Sequence, residues 1–420
     1  MSFAGHYLEK HALFPSIISE SPDSGLFISI VIPCFNEPDL IVTLESLWNC
    51  IRPMCAVEVI VVVNASEKST NEELSQNEAS VKAFNEWESV HFDEKLKFHL
   101  IIKNNLPAKD AGVGLARKIG MDEASCRFDL LNRPRGIIVG YDADSSCDKN
   151  YLIEIEKLFK ENSKTNACSI HFEHPLEGSV YDDFIYEAVT HYELYLRYYI
   201  EALRSTGHPF AFQTIGSSFA VRADVYCAQG GMNKRKAGED FYFLQKVIPL
   251  GNYAELNSTK VIPSPRPSVR VPFGTGAAIE KMRLAQNNKY QTYDLKAFDN
   301  LAFLFQQNDK IFEKDENELQ IFLKNISEPL QSFLILNEFI KQITEIKKNV
   351  SSLQNFTQRF YRWFDAFKVL KYMNFSHEKY YNLKAVGDVV KLLLQRKGIQ
   401  VENLTEKELL EVFRKMKIQG

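Results

Sequence analysis

Asp142 and Asp144 stand one residue apart in Gly140-Tyr-Asp-Ala-Asp-Ser145, directly after the hydrophobic run 136–140. Two carboxylates in such a turn converge on a hard divalent cation, which takes oxygen ligands and bridges naturally to a diphosphate. A D-x-D pair alone is common and usually marks a solvated turn; its place at the end of a strand gives it weight. Further along, Arg266 and Arg270 flank a Pro-rich loop leading into Val271-Pro-Phe-Gly-Thr-Gly276. Arginines grip phosphate or carboxylate in two-pronged fashion and glycines let a backbone approach. The loop therefore suits closure over a diphosphate or capture of an acidic acceptor, against the plainer reading of a surface loop with solvated arginines. His208, before Pro209, reads as a structural histidine rather than an acceptor contact. The seven cysteines show no C-x-x-C pair and no Cys/His zinc spacing, and read as reduced thiols.

These groups need a scaffold that brings them together, and the hydrophobic pattern supplies one. The run 27–32 is short, β-branched and stopped by Pro33, as in a buried parallel strand. A helix should follow, with Pro38 near its start and Leu40, Leu44, Leu47 and Ile51 on one face. A second run, 57–63, begins about 30 residues after the first, the length of a βαβ unit. The alternation continues with a helix over 71–88, a strand over 98–102, a helix over 113–124 and a strand over 136–140. The pattern predicts a mostly parallel open α/β sheet flanked by helices. Such sheets bind ligands beyond the carboxyl ends of their strands, which directs attention to 33–37, 64–67, 104–114 and 141–145.

Past residue 150 the spacing predicts a helix over 151–160, a strand over 167–172 and a long helix over about 182–204. The last carries Tyr186, Tyr192, Tyr195, Tyr198 and Tyr199, a stripe expected to pack rather than to bind ligand. From about residue 279 long amphipathic runs, 319–346 and 356–373, replace the alternation. The expected organisation is therefore a catalytic domain over 1–278 and a helical C-terminal domain over 279–420. At 420 residues the chain suits two units, and 45% hydrophobic with 25% charged residues is an ordinary globular composition. A formal net charge of −4 gives no general attraction to nucleic acid, so no nucleic-acid partner is expected. No stretch reaches the roughly 18 apolar residues that span a bilayer. The chain reads as cytoplasmic, with any membrane contact peripheral, at the inner face.

Five segments in order resemble the family 2 glycosyltransferases of GT-A fold. Ile30-Val-Ile-Pro-Cys-Phe-Asn-Glu37 resembles the family's first strand and turn, which cradle the donor nucleoside. Gly112-Val-Gly-Leu-Ala-Arg-Lys-Ile-Gly120 resembles its G-x-x-x-A-R-N-x-G element, with Lys118 where Asn is usual. Asp142-Ala-Asp144 matches the metal motif, Gly216-Ser-Ser-Phe-Ala-Val-Arg222 the acceptor-side strand, and Gly238-Glu-Asp240 the E-D base motif. The resemblance covers about residues 27–245. It implies that Pro33, Phe35, Asn36 and Glu37 line the donor site, that Arg117 lies near the nucleotide, and that Asp142 approaches the donor ribose. It also implies that Asp144, with Asp142, binds Mg²⁺ or Mn²⁺ at the diphosphate.

On the same resemblance Asp240 is the general base and Glu239 supports the acceptor site, with inversion at the anomeric carbon. One departure falls at Val62-Val-Asn-Ala-Ser66, where the family commonly carries Asp to contact the base. Asn64 presents an amide donor as well as an acceptor there, so the nucleotide stays open between UDP, the favoured choice, and GDP. The expected partners are a nucleotide-sugar donor and a carbohydrate or glycolipid acceptor. A nucleotidyltransferase for sugar nucleotides is the rival enzyme, but Pro33-Cys-Phe-Asn-Glu37 is not the glycine-rich phosphate loop such enzymes carry. A non-catalytic carbohydrate-binding or scaffold protein is the other alternative, against which the intact Asp144 and Asp240 argue.

Overall fold

The computed structural model describes residues 2–418. The chain divides into two compact units, Met1–Tyr181 with Gln213–Glu280, and Asp182–Phe212 with Lys281–Gly420. The division falls two residues beyond the boundary expected at 278/279. It also assigns residues 182–212, expected in the first domain, to the second unit.

The first unit is built on an eight-stranded sheet of β1 (Leu26–Cys34), β2 (Ala56–Ser66), β3 (Leu96–Leu106), β4 (Ile137–Gly140), β5 (Ser145–Cys147), β6 (Ala167–Phe172), β7 (Phe219–Arg222) and β8 (Tyr253–Pro263). Their order is β3-β2-β1-β4-β7-β6-β8-β5. β1, β2, β3 and β4 are parallel, β6 and β8 are parallel to each other, and β7 and β5 run against their neighbours. β1 and the first ten residues of β2 are almost entirely buried, the burial expected of central parallel strands covered on both faces.

Helix Leu40–Trp48 buries Leu40, Leu44 and Leu47 on this sheet, each worth about 1.5–3 kcal/mol of transfer free energy. Ile51, expected on the same face, lies past the helix end and is 53% exposed, because the chain turns there to donate its backbone N–H to Lys149. Helix Asn71–Glu88 opens on a capping box in which Thr70 and Glu73 satisfy each other's backbone N–H groups. Helix Val113–Leu130 runs six residues beyond its expected end, and buries nearly every side. β5 and β8 are strands that the hydrophobic pattern did not suggest: β5 has only three residues, and β8 mixes polar and apolar side chains.

The second unit is helical, apart from a short antiparallel pairing of Gln291–Thr292 with Lys384–Ala385. The run 319–346 divides into helices Glu316–Lys324, Glu328–Leu336 and Phe339–Lys348. Pro329 sits in the first turn of the middle helix, where its missing N–H costs nothing, and Glu338 adopts a left-handed conformation at φ 50° before the third. Helix Asp183–Ser205 is central to this unit. Its Tyr198 packs edge-on against Phe298 and donates its hydroxyl to the Tyr293 carbonyl at 2.9 Å, and its Glu193 holds Arg414 at 2.7 Å. Tyr192, Tyr195 and Tyr290 pack ring against ring, consistent with a packing role for the stripe. Among the described residues no helix is long and apolar enough to cross a membrane.

His208 is structural, as its sequence context suggests. It is 3% exposed, its Nε2 lies 3.0 Å from the Phe364 carbonyl, and its Nδ1 lies 3.3 Å from the Phe210 N–H. Burial lowers its pKa from 6.5 to about 4, against the pull of the Phe364 carbonyl. Because the folded value lies below the unfolded one, the neutral ring favours the folded state: its stabilisation is complete above about pH 6.5 and is lost as pH falls toward 4. The loss expected across that window is about 3 kcal/mol. Hydrogen exchange of the Asp183–Ser205 amides measured from pH 7 to pH 4 should show this loss of protection after correction for intrinsic rates, and His208→Gln should flatten it. An equal pH dependence in the variant would assign the effect to another group.

Candidate active site

The carboxyl ends of β1, β2 and β4 converge on one cluster of charged groups. Helix Val113–Leu130 points Arg117 inward; the residue is 2% exposed. Its Nη2 donates to Asp142 Oδ1 at 2.5 Å, and its Nη1 donates to Glu239 Oε1. One guanidinium thus joins the D-x-D turn to the Glu-Asp pair almost a hundred residues later. Gly216 makes the junction close: a Cβ there would stand 2.9 Å from both Arg117 Nη atoms and 3.0 Å from Asp240 Oδ2. Gly140 plays the matching part on β4, since a Cβ would meet the Phe219 ring at 2.3 Å and the Gly216 carbonyl at 2.7 Å.

Glu239 and Asp240 occupy the first turn of helix Glu239–Val247, where the helix dipole favours carboxylates. Asp240 Oδ1 accepts the Phe241 N–H at 2.7 Å. Burial raises the Asp240 pKa, with Asp142 adding to the rise and Arg117 and the Phe241 N–H opposing it. Glu239, 2% exposed, is likewise raised by burial against the pull of Arg117. A carboxylate raised toward neutrality is a better proton acceptor than an ordinary one.

Arg266 is partly buried and Arg270 exposed, and both are held by carboxylates of the site. Arg266 Nη2 lies 2.6 Å from Glu37 Oε2, and its Nη1 lies 2.6 Å from Asp39 Oδ2. Arg270 Nη1 donates to Glu37 Oε2 at 2.8 Å and to the Phe35 carbonyl at 3.1 Å, and its Nη2 lies 3.6 Å from Asp144 Oδ2. The Pro-rich loop therefore returns to the turn after β1 and to the D-x-D motif. Asp144 is a quarter exposed, and its pKa is pushed up to about 7 by burial, by Asp142 and by Glu37, with Arg270 and Arg266 only partly offsetting them.

The other expected donor-site residues lie on the same strand tails. Pro33 is in β1, and Asn36 follows it in a left-handed conformation at φ 49°, which Asn tolerates better than most side chains. Asn64, 3% exposed, lies near the end of the buried part of β2. Pattern reading missed Asn77, which ties the two tails together: its Oδ1 accepts the Asn36 N–H at 2.8 Å and its Nδ2 donates to the Asn64 carbonyl at 2.9 Å. Ser80 adds a hydroxyl to the Glu37 carbonyl at 2.8 Å. Both sit on a helix that reads only as polar, and no spacing distinguishes them from its solvated residues. Lys118 turns away from the cluster, pairing with Asp122 at 2.9 Å and donating to the Tyr7 hydroxyl at 2.9 Å.

Among the described residues no group of three or more His, Cys, Asp or Glu side chains is arranged to hold a metal ion. A protein-only cage is therefore not what this site offers. It offers Asp144, a quarter exposed, close to Asp142 and Glu37 and with Arg270 Nη2 3.6 Å away. This fits a cation shared with a bound diphosphate, since Mg²⁺ in phosphate sites takes one or two carboxylates and fills its shell with phosphate and water oxygens.

A charged cluster beyond the carboxyl ends of the strands lies where open α/β sheets bind their ligands. Residues 29–225 match the model of glycosyl transferase family 2. Over those residues the chain carries a glycosyl transferase family 2 domain, which supports a glycosyltransferase. No curated protein matches it. Among solved structures, S. aureus TarS 1-349 is similar at 14% identity and a TM-score of 0.39, over 81% of this chain and 92% of that one. The mannosyltransferase PcManGT from Pyrobaculum calidifontis, in complex with GDP-Man and Mn2+, is similar at 13% identity and a TM-score of 0.34, over 99% of this chain and 93% of that one.

Proposed function

We propose that the chain transfers a sugar from a nucleotide-diphosphate donor to an acceptor hydroxyl by a single, inverting displacement assisted by Mg²⁺ or Mn²⁺. The observation that carries this reading is the Arg117 bridge, which sets the D-x-D turn and the Glu239–Asp240 pair around one point beside Gly216. In this reading Asp240 Oδ2 takes the proton of the acceptor hydroxyl as its oxygen attacks the anomeric carbon. The bond from that carbon to the diphosphate breaks, and its electron pair leaves with the diphosphate. Asp142 faces the ribose and Asn64 the base edge, and Asp144 would hold the cation, which would supply positive charge for the leaving diphosphate. Arg266 and Arg270 stand ready to add two guanidinium charges to the same phosphates. Glu239 keeps Arg117 in place at the acceptor side. The acceptor is a carbohydrate or a glycolipid, and the second unit is a helical module for recognising the acceptor or a partner.

The test is calorimetric titration with UDP, GDP and their sugars, in Mn²⁺ or Mg²⁺ and in EDTA, together with slow donor hydrolysis. Binding to one nucleotide series that needs the cation, with hydrolysis of its sugar, is the expected result. Equal affinity in EDTA would remove the metal role, and no binding to either series would return the chain to a scaffold reading.

A further inference from the structure

Helix Leu40–Trp48 and the turn after it meet the segment 143–148 along a polar seam. Thr43, 1% exposed, donates its hydroxyl to the Ala143 carbonyl at 2.8 Å. Ser46 Oγ accepts the Cys147 N–H at 2.8 Å. Cys50 Sγ lies 3.6 Å from Cys147 Sγ and 3.7 Å from the Asp148 carbonyl. Positions 43, 46 and 50 repeat at the spacing of one helical face, so the stripe follows the D-x-D turn from the residue between its aspartates to four residues beyond Asp144.

Cys50 and Cys147 belong to the apolar core, but core packing does not account for the hydroxyls of Thr43 and Ser46. The same helix buries Leu40, Leu44 and Leu47, and a hydroxyl in such surroundings carries a desolvation cost unless it is hydrogen-bonded. Outside this seam the turn is held at its start by the Tyr141 N–H on the Val31 carbonyl at 3.1 Å, at its end by the pairing of β5 with β8, and at its carboxylates by Arg117 and Arg270. β4 ends at Gly140, β5 has three residues, and within the turn the Ser145 N–H reaches the Asp142 carbonyl at 3.2 Å. The arginines act on the carboxylate heads, while the peptide between the two aspartates is reached from outside the turn by the Thr43 hydroxyl.

We propose that Thr43 and Ser46 are positioning residues for Asp142 and Asp144, a splint that holds the D-x-D turn in the geometry its ligands need. This rests on the reading of those carboxylates as the donor and cation site. Neither hydroxyl touches the reacting atoms. Thr43 holds the peptide between the aspartates and Ser46 holds the strand that leaves the turn. Misplacing a catalytic or ligand-binding group by about 1 Å costs on the order of 100-fold, so loosening one anchor of the turn reads out mainly in cation-dependent binding.

The experiment compares wild type with Thr43→Val, Thr43→Ser and Ser46→Ala, each shown to be folded by circular dichroism. Hydrogen exchange over 141–147 is measured without ligand, and UDP and GDP are titrated with Mn²⁺ and in EDTA. Thr43→Val leaves the Ala143 carbonyl without this donor. It should speed exchange over 141–147 more than elsewhere in the sheet and weaken Mn²⁺-dependent binding about 10- to 100-fold. Thr43→Ser, which keeps the donor, should stay within about threefold of wild type, and Ser46→Ala carries the comparison if Thr43→Val does not fold. A uniform rise in exchange with unchanged Mn²⁺-dependent affinity overturns the proposal and leaves Thr43 as core stability alone. If wild type itself binds nucleotide equally in EDTA, the metal reading fails separately. The exchange arm then decides the splint: loosening confined to 141–147 supports it, and its absence overturns it.

Discussion

Asp240→Asn should leave the chain folded and able to bind donor, while sugar transfer falls roughly 10²- to 10⁴-fold, the usual worth of general base catalysis. The amide keeps the size of the carboxylate and can still accept the Phe241 N–H, but it cannot take a proton from the acceptor. Its neighbours make the comparison clean. Asp240 lies against Arg117 and Gly216 without being one of the two carboxylates that Arg117 grips, so neutralising it leaves both ion pairs standing. Transfer rates at saturating donor and acceptor, with donor affinity measured separately, give the readout. A near wild-type rate would place the base elsewhere, with Glu239 the next residue to test. Asp144→Asn should differ in kind, weakening cation and donor binding together.

Arg117→Met should cost the fold itself about 3–5 kcal/mol, the range for removing one partner of a buried ion pair. The guanidinium holds Asp142 and Glu239 at once, and Glu239 is only 2% exposed. Without it a carboxylate stays in a water-poor site with Asp240 beside it, and burial pushes Glu239 toward its protonated form. Urea unfolding of wild type and variant at neutral pH measures the loss. Arg117→Lys restores a charge but not the fork that reaches two carboxylates, so it should recover stability only in part. A stability equal to wild type in Arg117→Met would mean that Glu239 is already protonated and Asp142 adequately solvated. The bridge would then be a matter of geometry, not of charge.

Much of the scaffold was legible because strands and helices announce themselves locally. The runs 27–32 and 57–63 are β-branched and continuous, and they became the almost fully buried β1 and β2. The helix expected over 71–88 is the observed Asn71–Glu88, whose start is fixed by a capping box of Thr70 and Glu73. β5 was not legible, since three residues carry no period, and neither was β8, whose side chains mix polar and apolar at no single spacing. The long runs in the second unit showed their helical character but not their breaks, because a break at Pro329 or at a left-handed Glu338 costs little when both flanking helices find a face to bury.

A truncation near Ile279 illustrates the limit. Cutting there looks harmless in a sequence that changes pattern at that point, but residues 182–212 belong to the unit the cut would remove. The long helix Asp183–Ser205 would lose Tyr293, Phe298 and Arg414, to which its Tyr198 and Glu193 are bound.

The sequence by itself determined the α/β class, the helical character of the C-terminal part, and the identity of the carboxylates and arginines that carry charge. Residue type, period and capping act over a few residues, and so they can be read from a few residues. Only the tertiary structure decided the pairings: Arg117 with both Asp142 and Glu239, separations of 25 and 122 residues; Arg266 with Glu37, a separation of 229; and Thr43 with Ala143, a separation of 100. Such pairs depend on which faces the sheet and helices bury against one another. That choice is made by the sum of many contacts across the fold, and no local spacing of residues encodes it.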